Sequence, residues 1–133
     1  MKVYAPKSYW NASPEEIAAT CNGCGAEGGI KVPDKMWGLD IKHCCQIHDW
    51  MFKHGITYAD FVFANAVFIM NLTITIIAQS NKWLAPFRLA IATKYFLAVQ
   101  TLGVDAYWKD KRRNDMMVIT YVGEFRFKST RAV

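Results

Sequence analysis

The sequence lacks internal repeats, low-complexity segments and any sign of a second domain. Its first ten residues lack the apolar stretch and the small-residue cleavage site of a secretory signal, so they are not expected to act as one. Cysteine is scarce: four residues in 133 are compatible with two disulfides, with a metal site or with reduced thiols. These absences predict one domain spanning residues 1–133 and leave its compartment undetermined.

Acidic residues are also in deficit, with 11 Asp and Glu against 16 Lys and Arg and a formal net charge of +5. Such an excess is typical of an anionic partner, either a phospholipid surface or a nucleic acid, and equally of charge that only keeps a protein soluble. No recognised nucleic-acid motif accompanies the charge, so lipid is ranked first and no nucleic acid is expected. Hydrophobic residues make up 53% of the chain and aromatic residues 14%, which excludes disorder.

Helix signals dominate the first half of the chain. Ser13, Pro14 and Glu16 form a capping-box start, and a second helix is predicted from about residue 39 to residue 54. Gly55 is the expected stop, since glycine is common just past a helix end. Thr57 and Asp60 have the spacing to cap a third helix. The fold class predicted is mainly α.

Residues 61–81 carry no charge, which meets the length criterion for a membrane span. Polar side chains interrupt this run, so a helix buried in the core is the preferred interpretation. A fourth helix is predicted over residues 87–102. Alternation around Gly123 in residues 116–128 predicts a strand or a short β-hairpin near the C-terminus.

Residues 40–49, Asp-Ile-Lys-His-Cys-Cys-Gln-Ile-His-Asp, form the most informative stretch. His48 and Cys44 are four apart, as are Asp49 and Cys45, so each pair lies along one ridge of a helix. An imidazole beside a carboxylate suits general-base chemistry near a metal. The glycine-dense residues 21–29 could aim carbonyl oxygens inward, and carbonyls with one carboxylate are the ligands of Ca²⁺.

The glycine loop, Pro33 and Asp34, Asp40, and the Cys-Cys-x-x-His-Asp run of residues 44–49 together resemble the secreted phospholipase A2 superfamily. The resemblance covers residues 20–65 and is nearest to short, cysteine-poor bacterial or phage-type members. It implies a small helical domain built on an antiparallel helix pair with a glycine-rich calcium loop. It also implies hydrolysis of the sn-2 ester of glycerophospholipids at a membrane surface, and an extracellular setting.

The resemblance assigns the catalytic roles residue by residue. His48 corresponds to the general base that activates water, and the carboxylate that orients it is expected to be Asp60, with Asp105 in reserve. Asp60 also has a structural interpretation, as the acid of a helix capping box. Where the family has a tyrosine hydroxyl supporting that aspartate, this chain has Phe52, and Tyr58 or Tyr95 are alternative sources.

The resemblance also implies the calcium ligands, Asp49 with the carbonyls of Gly23, Gly25 and Glu27. The loop is one residue longer than the family motif, so Gly28 is the alternative to Glu27.

The family pattern implies a Cys24–Cys45 disulfide, with Cys44 free or paired with Cys21. Alternatively, Cys21 and Cys24 with His43 or the cysteine doublet could bind zinc. Two other functions thus stand beside the hydrolase: a non-catalytic membrane- or partner-binding module on the same scaffold, and a small zinc-stabilised domain.

Overall fold

The computed structural model describes residues 1–21, 35–121 and 123–129. In these ranges the chain is mainly helical, with six helices and four short strands, which confirms the predicted fold class at that level. The elements are β1 (Lys2–Pro6), α1 (Lys7–Asn11), α2 (Pro14–Thr20), β2 (Lys35–Met36), β3 (Leu39–Asp40), α3 (Lys42–His54), α4 (Tyr58–Gln79), α5 (Ala85–Leu102), α6 (Val104–Trp108) and β4 (Phe125–Ser129).

The predicted helix starts are confirmed at α2 and α4. Ser13 Oγ accepts from the Glu16 amide at 3.1 Å, and Glu16 Oε2 accepts from the Ser13 amide at 2.7 Å. Thr57 and Asp60 form the second capping box. The helix predicted from residue 39 begins later, at Lys42, because Leu39 pairs with Met36 in a short hairpin.

Gly55 follows the last residue of α3, as predicted, but for a different reason. Its φ of −65° is open to any residue, so no left-handed turn requires glycine here. A Cβ at this position would lie 2.5 Å from the hydroxyl oxygen of Tyr107. The close approach of the Tyr107 ring and of the Met51 carbonyl, at 2.9 Å, is therefore what excludes a side chain.

Helix α4 is the centre of the fold and packs against α3, α5 and β1. Residues 55–57 connect it to α3, and the two helices run antiparallel: His43 meets Thr75 at 3.0 Å, and His48 meets Asn65 at 2.7 Å. Half of its residues are buried, on the sides that face these neighbours.

By length and composition, α4 is the one helix of the described residues that could cross a membrane. Half of its most apolar window is buried inside the protein. Core helices pass the same criterion, so the finding is weak evidence for a span. Its contacts with three other elements agree with the interpretation as a core helix.

Of the strand predicted in residues 116–128, only the last part is confirmed, as β4, and residues 116–121 form no strand. The hairpin alternative is wrong within the described residues. β4 pairs antiparallel with β1, with Val3 opposite Lys128. The Asn71 side chain accepts from the Tyr4 amide and donates to the Tyr4 carbonyl, at 2.8 and 2.7 Å. β1 is thereby held against α4 and offers its free edge to β4.

Candidate active site around His48

His48 lies in the middle of α3 with its ring 6% exposed. Phe52, one turn further along α3, and Phe68 of α4 contact the imidazole, with ring centroids at 4.2 and 4.6 Å. Burial lowers the pKa of His48 to about 4, and the hydrogen bond with Asn65 only partly opposes that effect. The imidazole is therefore neutral near neutral pH and has a lone pair with which to accept a proton.

Asn65 of α4 is the hydrogen-bond partner of the His48 ring. Its Oδ1 lies 2.7 Å from Nε2, and its Nδ2 donates to Gln100 Oε1 of α5 at 2.8 Å. Because Oδ1 can only accept, Nε2 carries the proton in this arrangement and Nδ1 keeps the lone pair. A chain of two amides from two helices thus fixes the tautomer of a neutral histidine.

Asp60, expected to orient His48, has other partners in the structure. Its carboxylate is fully buried and accepts from the amides of Ile56, Thr57 and Thr120 at 3.0, 3.2 and 2.7 Å, and from Thr120 Oγ1 at 2.8 Å. The position beside Nε2 of His48 belongs to Asn65 instead. The structural interpretation of Asp60 as a capping acid is the one that its contacts support.

The contacts of Asp60 tie Thr120 to the start of α4. Burial raises the pKa of this carboxyl, but its hydrogen bonds from Ile56, Thr120 and Thr57 outweigh burial, and the pKa lies below its usual value. A group with a lowered pKa in the folded state stabilises the fold above its ordinary pKa. That stabilisation is lost as pH falls through the lowered value.

We expect Asp60→Asn to lower the free energy of unfolding near neutral pH by about 2 kcal/mol. The new amide nitrogen would face buried N–H donors that now bind a carboxylate. Urea unfolding at neutral and at strongly acidic pH checks this, and the gap between wild type and variant should narrow in acid. The exposed Asp110→Asn gives the same charge change as a control. Equal losses in both variants would contradict the assigned role.

Phe52 stands at the position where the family that the sequence resembles has a tyrosine. Its ring contacts His48 and packs edge-on against Tyr107 at 5.3 Å. The Tyr107 hydroxyl donates to the Thr57 carbonyl at 2.6 Å, where it supports the turn between α3 and α4. Phe52 therefore keeps the packing around the imidazole, and the Tyr107 hydroxyl serves the turn.

Asp49, the expected calcium carboxylate, is half-buried on α3 beside Cys21. Burial first, and then the charge of Asp49, raise the pKa of the Cys21 thiol to about 12. The Cys21 thiol donates to the Gln46 carbonyl at 3.1 Å, which fixes the chain against α3 directly before the glycine-rich residues. A half-buried carboxylate at the end of that segment is a suitable ligand for a hard cation.

The other expected calcium ligands, Gly23, Gly25 and Glu27 with the alternative Gly28, lie outside the described residues. Within the ranges that the structure does describe, no three His, Cys, Asp or Glu side chains form a metal-binding group. The expected site uses only one such side chain, so this finding does not bear on it. Its ligand set stays a prediction.

The cysteines are partly assigned. Cys21 and Cys44 are free thiols, so the alternative pairing between them is not formed. Cys45 is disulfide-bonded, and its predicted partner Cys24 lies outside the described residues. Cys44 is buried against Thr75, with its sulfur 3.4 Å from the hydroxyl oxygen.

Comparison with known proteins adds no relative to this picture. No family model, curated protein or solved structure matches the chain. What the described residues bring together is a neutral imidazole of fixed tautomer, a half-buried carboxylate next to it in sequence, and an anchored end of the glycine-rich segment.

Sequence reasoning missed Asn65 and Gln100. Asn65 is visible in the sequence as a polar interruption of the uncharged run. The role of orienting His48 was assigned to Asp60 instead, because Asp60 is charged. Asn65 is identified as the partner of His48 by its complete burial at the same level of the helix pair.

Proposed function

We propose that this chain is a calcium-dependent, phospholipase A2-like hydrolase that cleaves the sn-2 ester of glycerophospholipids. The observation that carries the proposal is the neutral His48 imidazole, held at Nε2 by Asn65 and followed in sequence by Asp49. The family motif in residues 44–49 supplies the substrate class. The net charge of +5 favours an anionic phospholipid surface as the place of action.

His48 supplies the proton transfers of the reaction. Its Nδ1 accepts a proton from a water molecule while the water oxygen bonds to the ester carbonyl carbon. When the bond to the glycerol oxygen breaks, that proton passes to the leaving oxygen, which gives a lysophospholipid and a fatty acid. Asn65 keeps the ring in place through both transfers, and no acyl-enzyme forms.

Asp49, with carbonyls of Gly23, Gly25 and Glu27, would hold the calcium ion. Bound Ca²⁺ would supply a positive charge that polarises the ester carbonyl. The role of Asp49 is to provide the anionic ligand. Asp49 directly follows His48 on α3, so the helix fixes the position of the ligand relative to the base.

A chelator experiment tests the proposal. Vesicles of a mixed-chain anionic phospholipid are incubated with the protein in the presence of calcium or of a calcium chelator, and the released fatty acid is identified by its chain length. The expected result is release of the sn-2 chain with calcium and not with chelator. Equal release in both would contradict the calcium role, and release of the sn-1 chain would contradict the regiochemistry.

A second function is favoured by one observation, the neutral amide of Asn65. The resembled enzymes place a carboxylate where Asn65 lies, and an amide stabilises a protonated imidazole less well. A chain with so weak a base would serve as a membrane-binding module on the same scaffold. Association with vesicles without any hydrolysis would favour this function over the enzyme.

The Asn65 amide also gives a pH prediction. Asn65→Asp should raise the pKa of His48, because a carboxylate beside Nε2 favours the protonated ring. The acid limb of the kcat/KM profile should then move to higher pH. The plateau should rise about tenfold or more, because the imidazolium formed during turnover is stabilised. Proton NMR titration of His48 and the pH profile of hydrolysis measure the two effects separately.

Gln79→Glu is the matched control for this variant, because it adds the same charge to an exposed position of α4. It should leave both the pH profile and the His48 titration unchanged. An Asn65→Asp protein with an unmoved His48 titration would contradict the assigned contact.

A further inference from the structure

Helix α5 leaves one broad apolar face without a partner in the described structure. Of its 18 residues, only Arg88 and Ala92 are buried. Phe87, Leu97 and Leu102 are 59%, 53% and 61% exposed. On a helical wheel these three side chains fall within an arc of about 140°. An exposed helix face normally carries several charges, whereas this one carries Lys94 alone.

Two exposed tryptophans adjoin the start of α5, Trp83 just before it in the chain and Trp37 through its contact with Phe87. Trp83 is 74% exposed, and Trp37, in the turn between β2 and β3, is 58% exposed and lies 5.8 Å from the Phe87 ring. The Arg88 side chain holds the β2–β3 turn in place. Its guanidinium donates to the Trp37 carbonyl at 2.6 Å and to the Met36 carbonyl at 3.2 Å. We call Trp37, Trp83, Phe87, Leu97 and Leu102 the α5 face.

The backbone at Trp37 is an independent sign that this side chain has a use outside the fold. Its φ is +48°, in the left-handed region that bulky side chains rarely adopt. Two-residue turns with positive φ at both positions favour asparagine or glycine. The chain instead keeps a large aromatic ring there and exposes it to solvent.

Charge decides which partner fits the α5 face. Residues 61–104 include Lys82, the buried Arg88 and Lys94 and no Asp or Glu, and the β2–β3 hairpin that carries Trp37 adds one exposed charge of each sign, Lys35 and Asp40. Lys82 Nζ lies 5.3 Å from the centroid of the Trp83 ring, and Lys94 lies within the arc that Phe87, Leu97 and Leu102 span on α5. A second copy of the chain would place cations against cations. An anionic bilayer would meet the same cations with opposite charge and the aromatic rings with its headgroup region.

We propose that the α5 face docks on an anionic phospholipid bilayer, with α5 lying along the surface and Trp37 and Trp83 entering the headgroup region. The choice of partner rests on the proposed phospholipid substrate, but docking itself requires no catalysis. At 18 residues, α5 is about 27 Å long, so it offers an extended line of contact.

Vesicle sedimentation of the full chain tests this inference. The wild-type protein should sediment with phosphatidylglycerol vesicles, and much less with phosphatidylcholine vesicles or at high salt. The double variant Trp83→Ser, Phe87→Ser should bind phosphatidylglycerol at least about tenfold more weakly. Lys82→Glu, Lys94→Glu should lose the preference for anionic lipid, and it keeps every apolar side chain of the face.

The matched control is Met116→Ser, Met117→Ser. These two residues are 60% and 72% exposed, comparable to the pair in the α5 face, and lie beyond α6 in the chain. This control should bind vesicles like the wild type. Circular dichroism verifies that each variant is folded.

Hydrolysis of a short-chain phospholipid below its micelle concentration separates docking from catalysis, because a dissolved substrate needs no surface. Vesicle binding that depends on the α5 face, without any hydrolysis, would support docking and contradict the enzyme. Equal weakening by the methionine control would overturn the α5 face as the docking site. A wild-type protein that is a dimer and does not bind vesicles would also overturn the proposal, if Trp83→Ser, Phe87→Ser converts it to a monomer. The α5 face would then join two copies of the chain.

Discussion

His48→Gln is expected to reduce hydrolysis by about 10³-fold or more while the protein remains folded. Glutamine keeps a polar side chain between Phe52 and Phe68 and can still donate to Asn65 Oδ1, but it has no lone pair basic enough to take a proton from water. Initial rates on vesicles with saturating calcium measure the effect. Calorimetric titration with calcium should give nearly the wild-type affinity, since the imidazole is not among the expected ligands.

His54→Gln is the control for this substitution. His54 is an exposed residue at the C-terminal end of the same helix, with Nδ1 3.0 Å from the Trp50 carbonyl oxygen. Its replacement should leave the rate unchanged. Near-wild-type activity of the His48 variant would exclude His48 as the base, even if the chain proves to be a hydrolase.

Asp49→Asn is expected to weaken calcium binding at least about 100-fold, because the neutral amide cannot compensate the desolvation of a divalent cation. The carbonyls that complete the expected site carry no net charge. Hydrolysis should fall with the affinity, and added calcium should recover little of it. Calorimetry and initial rates over a calcium series measure the two losses independently.

The control for Asp49→Asn is again Asp110→Asn, which removes a carboxylate from the surface at a position where φ is +60° and asparagine is well tolerated. It should bind calcium normally. Asp60→Asn should differ from both, with reduced stability and intact calcium affinity. If Asp60→Asn lost calcium binding and Asp49→Asn did not, the two carboxylates would have been assigned the wrong way round.

The helices were predictable because their signals are local. Capping side chains at Ser13 and Thr57 and the uncharged run that follows Asp60 act over a few residues, and α2 and α4 begin where those signals lie. The predicted start of α3 was wrong because no capping signal marks it. Strand pairing before the helix sets the start instead. Leu39 enters a hairpin with Met36, and a pair of such short strands has no recognisable period in the sequence.

The partner of His48 was assigned wrongly because the residue type, a carboxylate, was given more weight than the position along the helix. In an antiparallel pair joined by a short turn, residues equally distant from the turn face each other. His48 lies eight residues before Ile56 and Asn65 nine residues after it, whereas Asp60 lies only four residues after it. The distance from the turn therefore identifies Asn65 as the residue that faces His48. A rule that looks only for carboxylates passes over an amide that makes the same contact.

The strand pairing could not be predicted from local pattern. β1 was not predicted at all, and its partner lies at the other end of the chain. One polar side chain on the central helix, Asn71, ties β1 to α4 by binding both backbone groups of Tyr4. Such a contact between remote parts of the sequence has no signature in either segment alone.

The pairing of β1 with β4 also sets an order on folding during synthesis. Lys2 lies opposite Ser129, so β1 leaves the ribosome long before the strand that completes its sheet. Until then the Asn71 side chain can hold only one edge of β1, through Tyr4. Closing so long a loop is slow, and an unpaired strand edge can pair with another chain. Until β4 is available, the edge of β1 that pairs with it is therefore open to a second copy.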